Sequence, residues 1–377
     1  MRPRALILMA TIAVFVACAA PRPSAAPPPA SPGSDDAAIA WDRIVQDAKR
    51  EGRIVVIGPQ GTEARDALTQ GFQAKYPEIA VEFTPLAGNQ IAPKLLNELA
   101  AGQFLTDLVI TGTTTALESL RPADAIVPVP PFLDGPNIRD QSVWLGGKWS
   151  FSDEAAEYNL VFSAYIKEGF VYNPNVVSAA EFKSYRDLLD PKWKGKIVVR
   201  NPTAAGGGLS HFTYFYATES LGKDYIQRFF AQDITIANDD RQILDFVARE
   251  QYPIAIGVSN ILTNEFIERG LPVKLLDSAA LQEGSYITAG NGSFAIVRGA
   301  PHPNALRVYL DYLLSRDGQA EWTREIGFAT LRQDVAKDKV DPLLVPKPGV
   351  QYMENHGERY VKMREEVVTF LNTVLPR

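Results

Sequence analysis

Short apolar runs and amphipathic stretches alternate along the first third of the chain. Residues 53–57 form an apolar run of strand length, and a polar Gly-Pro-Gln-Gly turn ends it. Apolar side chains then recur at every fourth position from Ala64 to Tyr76, which predicts an amphipathic helix that Pro77 ends. The same reasoning predicts a first helix at 40–50, strands at 79–83 and 107–111, and a helix at 91–101 between these strands. Apolar strands separated by helices are typical of a parallel sheet.

The second half of the chain repeats this order without repeating the sequence. Strands are predicted at 197–200, 234–237 and 253–258, and a helix at 209–221. Two apolar segments, 158–165 and 169–172, lead from the first half into the second, and residues 285–297 lead back. Two sheets joined by two crossings predict two lobes with a hinge between them. Beyond a proline-rich loop, residues 353–375 have helical spacing.

Polar residues follow the predicted strands of both halves, at the point where each next helix begins. In a parallel α/β sheet these loops meet at the carboxyl edge, and the unpaired backbone N–H groups of the helix starts attract an anion there. We therefore expect a small anionic or polar solute to bind at this edge. The candidate ligand-binding residues are Gln60, Thr62, Thr113, Thr114, Thr203, Asn238, Asp239, Arg241, Ser259 and Asn260.

Each of these residues also has a purely structural interpretation. Serine, threonine, asparagine and aspartate cap most helix starts, so capping alone explains any single member of the set, Thr62 included. Arg241 either places its guanidinium on a carboxylate or phosphate of the ligand, or pairs with Asp240 or Asp245 at the surface. The tyrosines of the crossing segments either line the cleft or pack in the core.

The amino terminus predicts export and attachment to a membrane. Two arginines precede an apolar run over residues 5–17. This run is shorter than the roughly 20 residues that span a bilayer, so residues 1–18 are interpreted as a signal peptide. The run ends at Cys18 and resembles a lipobox, in which the cysteine receives lipid. Residues 19–38, rich in proline and alanine, then form an extended tether. The alternative is an ordinary signal peptide whose cysteine is incidental.

Composition and missing motifs exclude several functions. Cys18 is the only cysteine, so thiol chemistry and thiolate metal sites are excluded, and we expect no cofactor and no metal. A formal net charge of −6 disfavours nucleic acid as a partner. Gly206–Gly208 lacks the Lys-Ser/Thr of a P-loop, and no Gly-x-Ser-x-Gly elbow accompanies the neighbours Ser210 and His211, whose side chains diverge on a helix. We therefore expect a binding protein and no enzyme, with an extracytoplasmic hydrolase as the alternative.

Four segments carry a resemblance to a known family. Residues 185–197 (Tyr-Arg-Asp-Leu-Leu-Asp-Pro-Lys-Trp-Lys-Gly-Lys-Ile), 170–175, 299–305 and 310–322 look like the family 1 extracellular solute-binding proteins, in the branch of ferric-ion, thiamine and phosphonate binders. The resemblance implies a two-lobed α/β fold of the type II periplasmic-binding-protein class, with mixed, mostly parallel sheets and a two-strand hinge. It also implies a lipid-anchored monomer on the periplasmic or cell-surface side, which delivers its solute to an ABC permease and its ATPase.

The same resemblance divides the chain and bears on the ligand. By this likeness, lobe 1 comprises residues 39–158 and 285–335, lobe 2 comprises residues 159–284, and residues 336–377 form a C-terminal loop and helix. Ferric binders of the family carry two adjacent tyrosines where this chain has Ser259 and Asn260. Because neutral groups do not balance a trivalent charge, we expect a small organic anion as ligand and keep a ferric-iron receptor as the alternative.

Overall fold

The structure, a computed structural model of the chain, describes residues 34–346 and 352–375. The predicted signal peptide, Cys18 and the tether up to residue 33 lie outside the described residues. The chain divides into two units, Met1–Ile39 and Ala40–Arg377, and both predicted lobes belong to the second. In the described part of the chain, no helix combines the length and the apolar character needed to cross a bilayer.

The described residues form two large sheets and a small one, with helices packed around them. The strands are β1 (Arg53–Gly58), β2 (Ala80–Pro85), β3 (Leu108–Ile110), β4 (Ile126–Val127), β5 (Ser150–Phe151), β6 (Leu160–Val161), β7 (Tyr165–Ile166), β8 (Val171–Tyr172), β9 (Ile197–Arg200), β10 (Thr235–Ala237), β11 (Ile254–Ile256), β12 (Lys274–Leu275), β13 (Tyr286–Thr288), β14 (Ser293–Val297) and β15 (Met353–Glu354). The α-helices are α1 (Ser34–Glu51), α2 (Thr62–Lys75), α3 (Gly88–Ala100), α4 (Gly207–Ala217), α5 (Gly222–Phe230), α6 (Asp240–Ala248), α7 (Asn260–Glu268), α8 (Pro303–Leu313), α9 (Arg316–Ile326) and α10 (Glu358–Val374). A π-helical turn, Thr115–Leu120, follows β3.

Lobe 1 is built on a seven-stranded sheet. Its strand order is β2-β1-β3-β14-β6-β5, and β4 pairs with β14. β1 runs parallel to β2 and β3, whereas β14 lies antiparallel between β3 and β6. Every residue of β3 and β14 is buried, as expected of apolar strands in the middle of a covered sheet. The helices α2, α8 and α9 pack together beside this sheet.

Lobe 2 is built on a five-stranded sheet in the order β10-β9-β11-β8-β12. β9 runs parallel to β10 and β11, and β8 is antiparallel to β11 and β12. In both lobes the parallel pairs occupy one part of the sheet, and the strands next to the crossings run antiparallel to them. The predicted two-lobed α/β fold is confirmed, with sheets that are more mixed than the sequence suggested.

The hinge is a three-stranded sheet rather than a pair of strands. β7 on the outward crossing pairs antiparallel with β13 on the return crossing, as the two predicted crossings require. β15 adds a third strand parallel to β13, with Met353 opposite Tyr286. The helical spacing predicted one helix over 353–375, but the chain is extended at β15 before α10 begins at Glu358. A strand of two residues has no periodicity, so the pattern did not reveal it.

The C-terminal helix belongs to the body of the protein. Val367 and Leu371 of α10 are buried in the apolar cluster of lobe 2, and α10 packs on α4. Since α9 lies with lobe 1 and α10 with lobe 2, the chain crosses between the lobes a third time, through β15. This third crossing brings the first half of α10, with Arg364, to the space between the lobes.

Close backbone approaches bring the start of α4 against the ends of β9 and β11. A Cβ atom on Gly207 would lie 2.3 Å from the carbonyl oxygen of Gly257, and one on Gly208 would lie 2.2 Å from that of Arg200. Gly257 also has a φ of +78°, a conformation that favours glycine. The glycine-rich segment therefore serves packing, because only residues without a Cβ allow α4 to start at the carboxyl edge of this sheet.

We predict that Gly208→Ala lowers the free energy of unfolding by about 1–3 kcal/mol, the usual effect of overpacking. The new methyl group meets two backbone carbonyls, which cannot move aside as a side chain can. Gly88→Ala is the matched control, because a Cβ there lies 3.5 Å from the Thr115 hydroxyl, an ordinary contact. Urea denaturation of both variants measures the difference, and equal stabilities would contradict the packing role of Gly208.

Candidate functional site

A cavity lies between the lobes, where loops that follow the parallel strands of both sheets face each other. The volume accessible to the centres of water molecules is about 130 Å³. The loops after β1 and β3 line it from lobe 1, and those after β9 and β11 line it from lobe 2. Hinge strands contribute Tyr165 and Tyr286, and α10 contributes Arg364. This is the position that the strand order predicts for a ligand.

Five of the ten predicted residues line this cavity. Gln60 follows β1, Thr113 and Thr114 follow β3, and Ser259 and Asn260 follow β11. Thr113, Thr114 and Asn260 are buried, Ser259 is half-buried and Gln60 is exposed. The structure thus brings together residues from three separate junctions of the two lobes.

Two helices start at the cavity without a side-chain cap. The N-cap of α4 is Gly206, and the N-cap of α7 is Ser259, whose hydroxyl does not bond to the helix. Residues of both first turns line the cavity, among them Gly207 and Ile261. Unpaired backbone N–H groups and the positive ends of two helix dipoles therefore face the same space, which favours a negatively charged group.

Three other predicted residues stabilise the loops of lobe 2 themselves. The side-chain oxygen of Asn201 accepts hydrogen bonds from the backbone and hydroxyl of Thr203 at 3.0 and 2.9 Å, and its amide donates to Asn238 at 2.9 Å. Asp239 caps α6 by accepting from the backbone of Gln242 at 2.8 Å. None of the three predicted residues lines the cavity. The capping interpretation holds for Asp239, whereas Thr203 and Asn238 bond to Asn201 within the loops.

Thr62 and Arg241 also lie outside the cavity lining. Thr62 is exposed at the first position of α2 and Gly61 occupies the N-cap, so the assignment of Thr62 as N-cap is wrong. Arg241 donates to Glu265 of α7 at 3.0 and 3.3 Å, rather than to an aspartate of its own helix. Glu265 is 3% exposed, and a buried carboxylate of this kind requires a nearby cation.

A buried ion pair at the end of β9 was not predicted. Arg200 and Asp240 line the cavity, and Nε of Arg200 lies 3.4 Å from Oδ1 of Asp240. Arg200 is 5% exposed, and its Nη1 has no hydrogen-bond partner among the described residues. Burial raises the pKa of Asp240, and the charge of Arg200 opposes this rise. A guanidinium with an unused N–H group at this edge suits an anionic oxygen.

A second buried pair lies next to the hinge strand β7. Nζ of Lys167 lies 2.7 Å from Oε1 of Glu168 and donates to the carbonyl of Val258 at 2.8 Å. Lys167 also donates to the side chain of Asn260, whose amide in turn donates to Glu168 at 2.6 Å. This network fixes the start of α7 to the hinge, and the charge of Lys167 is matched by that of Glu168.

The third cation at the cavity comes from α10. Arg364 is 2% exposed, and its Nη1 donates to the hydroxyl of Thr114. Its Nη2 donates to the backbone and side-chain oxygens of Asn355 at 2.8 and 2.9 Å, and to the hydroxyl of Ser210 at 3.4 Å. Its Nε has no partner in the part of the chain that the structure describes. Burial lowers the pKa of Arg364 to about 10, which leaves it charged at neutral pH.

Arg364 gives the cavity its excess positive charge. Lys167 and Arg200 each pair with a carboxylate, whereas no carboxylate within residues 34–346 and 352–375 lies within 4.0 Å of the Arg364 guanidinium. Glu118 interacts with Arg364 electrostatically and raises its pKa, but burial raises the pKa of Glu118 itself to about 7, so this carboxyl balances the guanidinium only in part at neutral pH. The cavity thus presents one buried cation without an ionic partner.

The possible metal ligands at the cavity include two tyrosines. No cluster of three or more His, Cys, Asp or Glu side chains among the described residues is placed to hold a metal ion. The phenols of Tyr165 and Tyr286 do line the cavity, but burial raises the pKa of both, and the nearby Glu168 raises it further. In the protein without a bound cation both are therefore neutral phenols.

Ser210 and His211 diverge on α4, as their adjacency predicts. Ser210 lines the cavity, whereas His211 is buried beside Tyr185 and Tyr286, with ring centroids at 5.8 and 5.6 Å. Neither ring nitrogen of His211 has a hydrogen-bond partner among the described residues. Burial, with a smaller contribution from Lys167, holds the pKa of His211 well below its usual value. This histidine is placed as part of the core and not as a base for the serine.

Lys167, Arg200 and Arg364 share a sequence feature that lies outside the polar loops. Arg200 is the last residue of the buried strand β9, and Lys167 lies between two apolar hinge segments. Arg364 lies on the apolar stripe of α10, between Val361 and Val367. Each is a charged residue at a buried position beside apolar residues, where charge is costly unless it has a function or a partner.

Sequence and structure comparisons agree on one kind of protein. The profile of the bacterial extracellular solute-binding protein family matches residues 58–320. The periplasmic binding protein P5PA shares 17% identity at a TM-score of 0.66, over 86% of this chain and 100% of its own. Iron-bound HitA from Pseudomonas aeruginosa shares 18% identity at a TM-score of 0.64, over 85% of this chain and 99% of its own. AfuA from Actinobacillus pleuropneumoniae, with exogenous fructose-6-phosphate bound, shares 17% identity at a TM-score of 0.63, over 86% of this chain and 99% of its own. At these identities the structural likeness shows the fold.

The neutral, buried His211 predicts a loss of stability on acidification. Its pKa is well below 6.5 in the folded protein, whereas the unfolded chain takes up the proton near 6.5. The free energy of unfolding therefore falls as the pH decreases below 6.5, by up to about 1.4 kcal/mol per pH unit for one proton. His211→Phe, which suits the aromatic surroundings, removes this contribution. Urea denaturation of the wild type and of His211→Phe between pH 5 and 7.5 gives the slope of the free energy of unfolding against pH for each. Parallel slopes would contradict a neutral, buried His211.

Proposed function

We propose, since the chain belongs to the bacterial extracellular solute-binding protein family, that it captures a small organic anion between its lobes for an ABC importer. The solute carries a carboxylate or phosphoryl group, and an ABC permease with its ATPase receives it. Family and fold are those of binding proteins and not of enzymes. The hinge sheet gives the lobes an axis about which to close on the solute.

Two buried guanidinium N–H groups without a partner are the main support for this proposal. Nη1 of Arg200 and Nε of Arg364 are buried without a partner among the described residues, and both arginines line one cavity. An unsatisfied buried donor costs about 1–3 kcal/mol, and more when it is charged. An anionic oxygen that reaches these donors when the lobes close on the solute removes that cost.

The remaining lining supports the same ligand class. The uncapped starts of α4 and α7 add backbone donors to those of the two arginines. Hydroxyl and amide groups of Thr113, Ser259 and Gln60 supply neutral hydrogen bonds to the rest of the solute. With Lys167 and Arg200 already paired, the one unpaired cation, Arg364, balances a single negative charge.

The same lining disfavours ferric ion as the solute. Arg364, the lining cation without a carboxylate in direct contact, repels a trivalent cation, and Ser259 and Asn260 offer it neutral groups instead of phenolates. Of the ligands in the neighbouring structures, the fructose-6-phosphate of AfuA therefore suits this cavity better than the iron of HitA does. The ionic character of the lining thus favours a phosphorylated or carboxylated solute.

Removing the Arg200 donor is expected to weaken anion binding without changing the net charge. In the double variant Arg200→Met, Asp240→Asn both members of the ion pair are neutral. We expect it to bind anions roughly 10- to 100-fold more weakly than the wild type, the effect of one lost charge-assisted hydrogen bond. Isothermal titration with acetate, inorganic phosphate and hexose 6-phosphates measures the affinities.

Two controls accompany this double variant. Asp240→Asn alone keeps the guanidinium and removes a negative charge, so its affinity should equal or exceed that of the wild type. Arg228→Met removes an exposed arginine of α5 and should change nothing. Wild-type affinity in the double variant, or a preference of the wild type for ferric ion over all the anions, would contradict the proposed site.

We also propose that Cys18 carries lipid and tethers the protein to a membrane. The support is the position of Cys18 at the end of the apolar run, with a proline-rich tether after it. Cys18→Ser is expected to release the protein from the membrane fraction or to leave the signal peptide uncleaved. Fractionation and intact-mass analysis decide the matter, since a mature chain that starts beyond residue 18 without lipid would rule the anchor out.

A further inference from the structure

We infer that the C-terminal segment, residues 352–375, completes the ligand site and that Arg364 sets its selectivity for anionic over neutral solutes. This inference rests on the proposed function and assigns the charge selectivity of that site to one residue. The segment lies beyond residues 58–320, the part of the chain that matches the family profile. The charge-selecting group is thus a feature that the profile match leaves out.

The first support is that Arg364 is held from both lobes at once. Thr114, which accepts from Nη1, follows β3 of lobe 1, and Ser210, which accepts from Nη2, lies on α4 of lobe 2. Asn355 accepts twice from the same guanidinium and is itself fixed, because its amide donates to the carbonyl of Ser210 at 2.6 Å. The guanidinium is therefore rigid, while its Nε is left unused.

The second support is the unpaired charge. The protein surrounds Arg364 with neutral acceptors, although a carboxylate at this place would stabilise it more. A buried cation without a carboxylate in direct contact is destabilising by itself, since the partly neutral Glu118 offsets its desolvation only in part. An anionic solute supplies that charge, and a neutral solute of the same shape does not.

The third support is the attachment of α10 to both lobes. Val367 and Leu371 anchor the helix in the apolar cluster of lobe 2. At its other end, Glu358 accepts from the backbone of Glu154 in lobe 1 at 2.7 Å and lies 3.5 Å from Nη1 of Arg121. The apolar contacts are the more extensive, so α10 stays with lobe 2 when the lobes separate. Closure then brings Arg364 onto the Thr114 loop, with the solute between the lobes.

A rival account makes Arg364 a structural cross-link only. A structural cross-link requires only that a replacement of Arg364 keeps its hydrogen bonds, whereas charge selectivity requires that it keeps the positive charge. Arg364→Gln keeps hydrogen-bond donors for the neutral acceptors but removes the charge, whereas Arg364→Lys keeps the charge with a different donor geometry. Arg359→Gln is the matched control, because Arg359 is exposed on the same helix. Binding of inorganic phosphate to the full-length protein, measured by isothermal titration, separates the accounts.

We expect Arg364→Gln to bind inorganic phosphate roughly 10- to 100-fold more weakly than the wild type, and Arg364→Lys to recover at least half of that loss on a logarithmic scale. Arg359→Gln should bind as the wild type does. Thermal unfolding is recorded for each variant first. If Arg364→Gln does not fold, Arg364→Met, an apolar chain that removes the buried charge, takes its place.

Three results would overturn the inference. Wild-type phosphate affinity in Arg364→Gln would refute it and leave the proposed function standing, provided that the Arg200 and Asp240 double variant still loses affinity. An Arg364→Lys variant as weak as Arg364→Gln would show that hydrogen-bond geometry, and not charge, is what the residue contributes. A wild type that binds no anion at millimolar concentrations would remove both the inference and the proposed function.

Discussion

Buried guanidinium groups between two lobes are the physical constraint on which the rest of the site depends. Arg200 and Arg364 are withdrawn from water, and each retains an N–H group that the described protein does not use. Charged donors in such a place are strongly unfavourable unless oxygen atoms surround them. The neighbouring hydroxyls, carbonyls and Asp240 satisfy part of this demand, and the proposed anionic solute would satisfy what remains.

The fold brings these groups together through features that are far apart in sequence. The carboxyl ends of parallel strands in both sheets place helix starts at one cavity, and glycines at 207 and 257 allow α4 to begin there. The three-stranded hinge joins the lobes, and its third strand returns the chain toward lobe 2. As a result α10 delivers Arg364 to a site whose other polar and charged lining residues come from the matched family region. Hinge, sheets and C-terminal helix therefore act on one cavity.

Local patterns in the sequence predicted the scaffold and part of the site. The apolar strands and their following loops located Gln60, Thr113 and Ser259, because strand ends in an α/β sheet converge whatever the rest of the chain does. The same logic included Thr203 and Asn238, which bond to a neighbouring loop and do not face the cavity. Which side a loop residue faces depends on tertiary contacts that no local pattern contains.

The loop pattern does not predict the cations at the cavity, and the physical reason is a different one. Arg200 ends an apolar strand and Lys167 lies between two apolar segments, so neither belongs to the polar loops from which the site is predicted. The role of Arg364 depends on the third crossing, which rests on a two-residue strand with no detectable period. A charged residue on the buried stripe of a helix was visible in the sequence, but its partners 250 and 154 positions away were not.

Native mass spectrometry of the protein, purified gently and never denatured, tests the central claim most directly. Solute-binding proteins that close around their ligand retain it through purification when dissociation is slow. The account predicts a small adduct that is released on unfolding and identified in negative-ion mode as an organic acid or a phosphorylated compound. A bound ferric ion, or a neutral or cationic compound in the cleft, would contradict it.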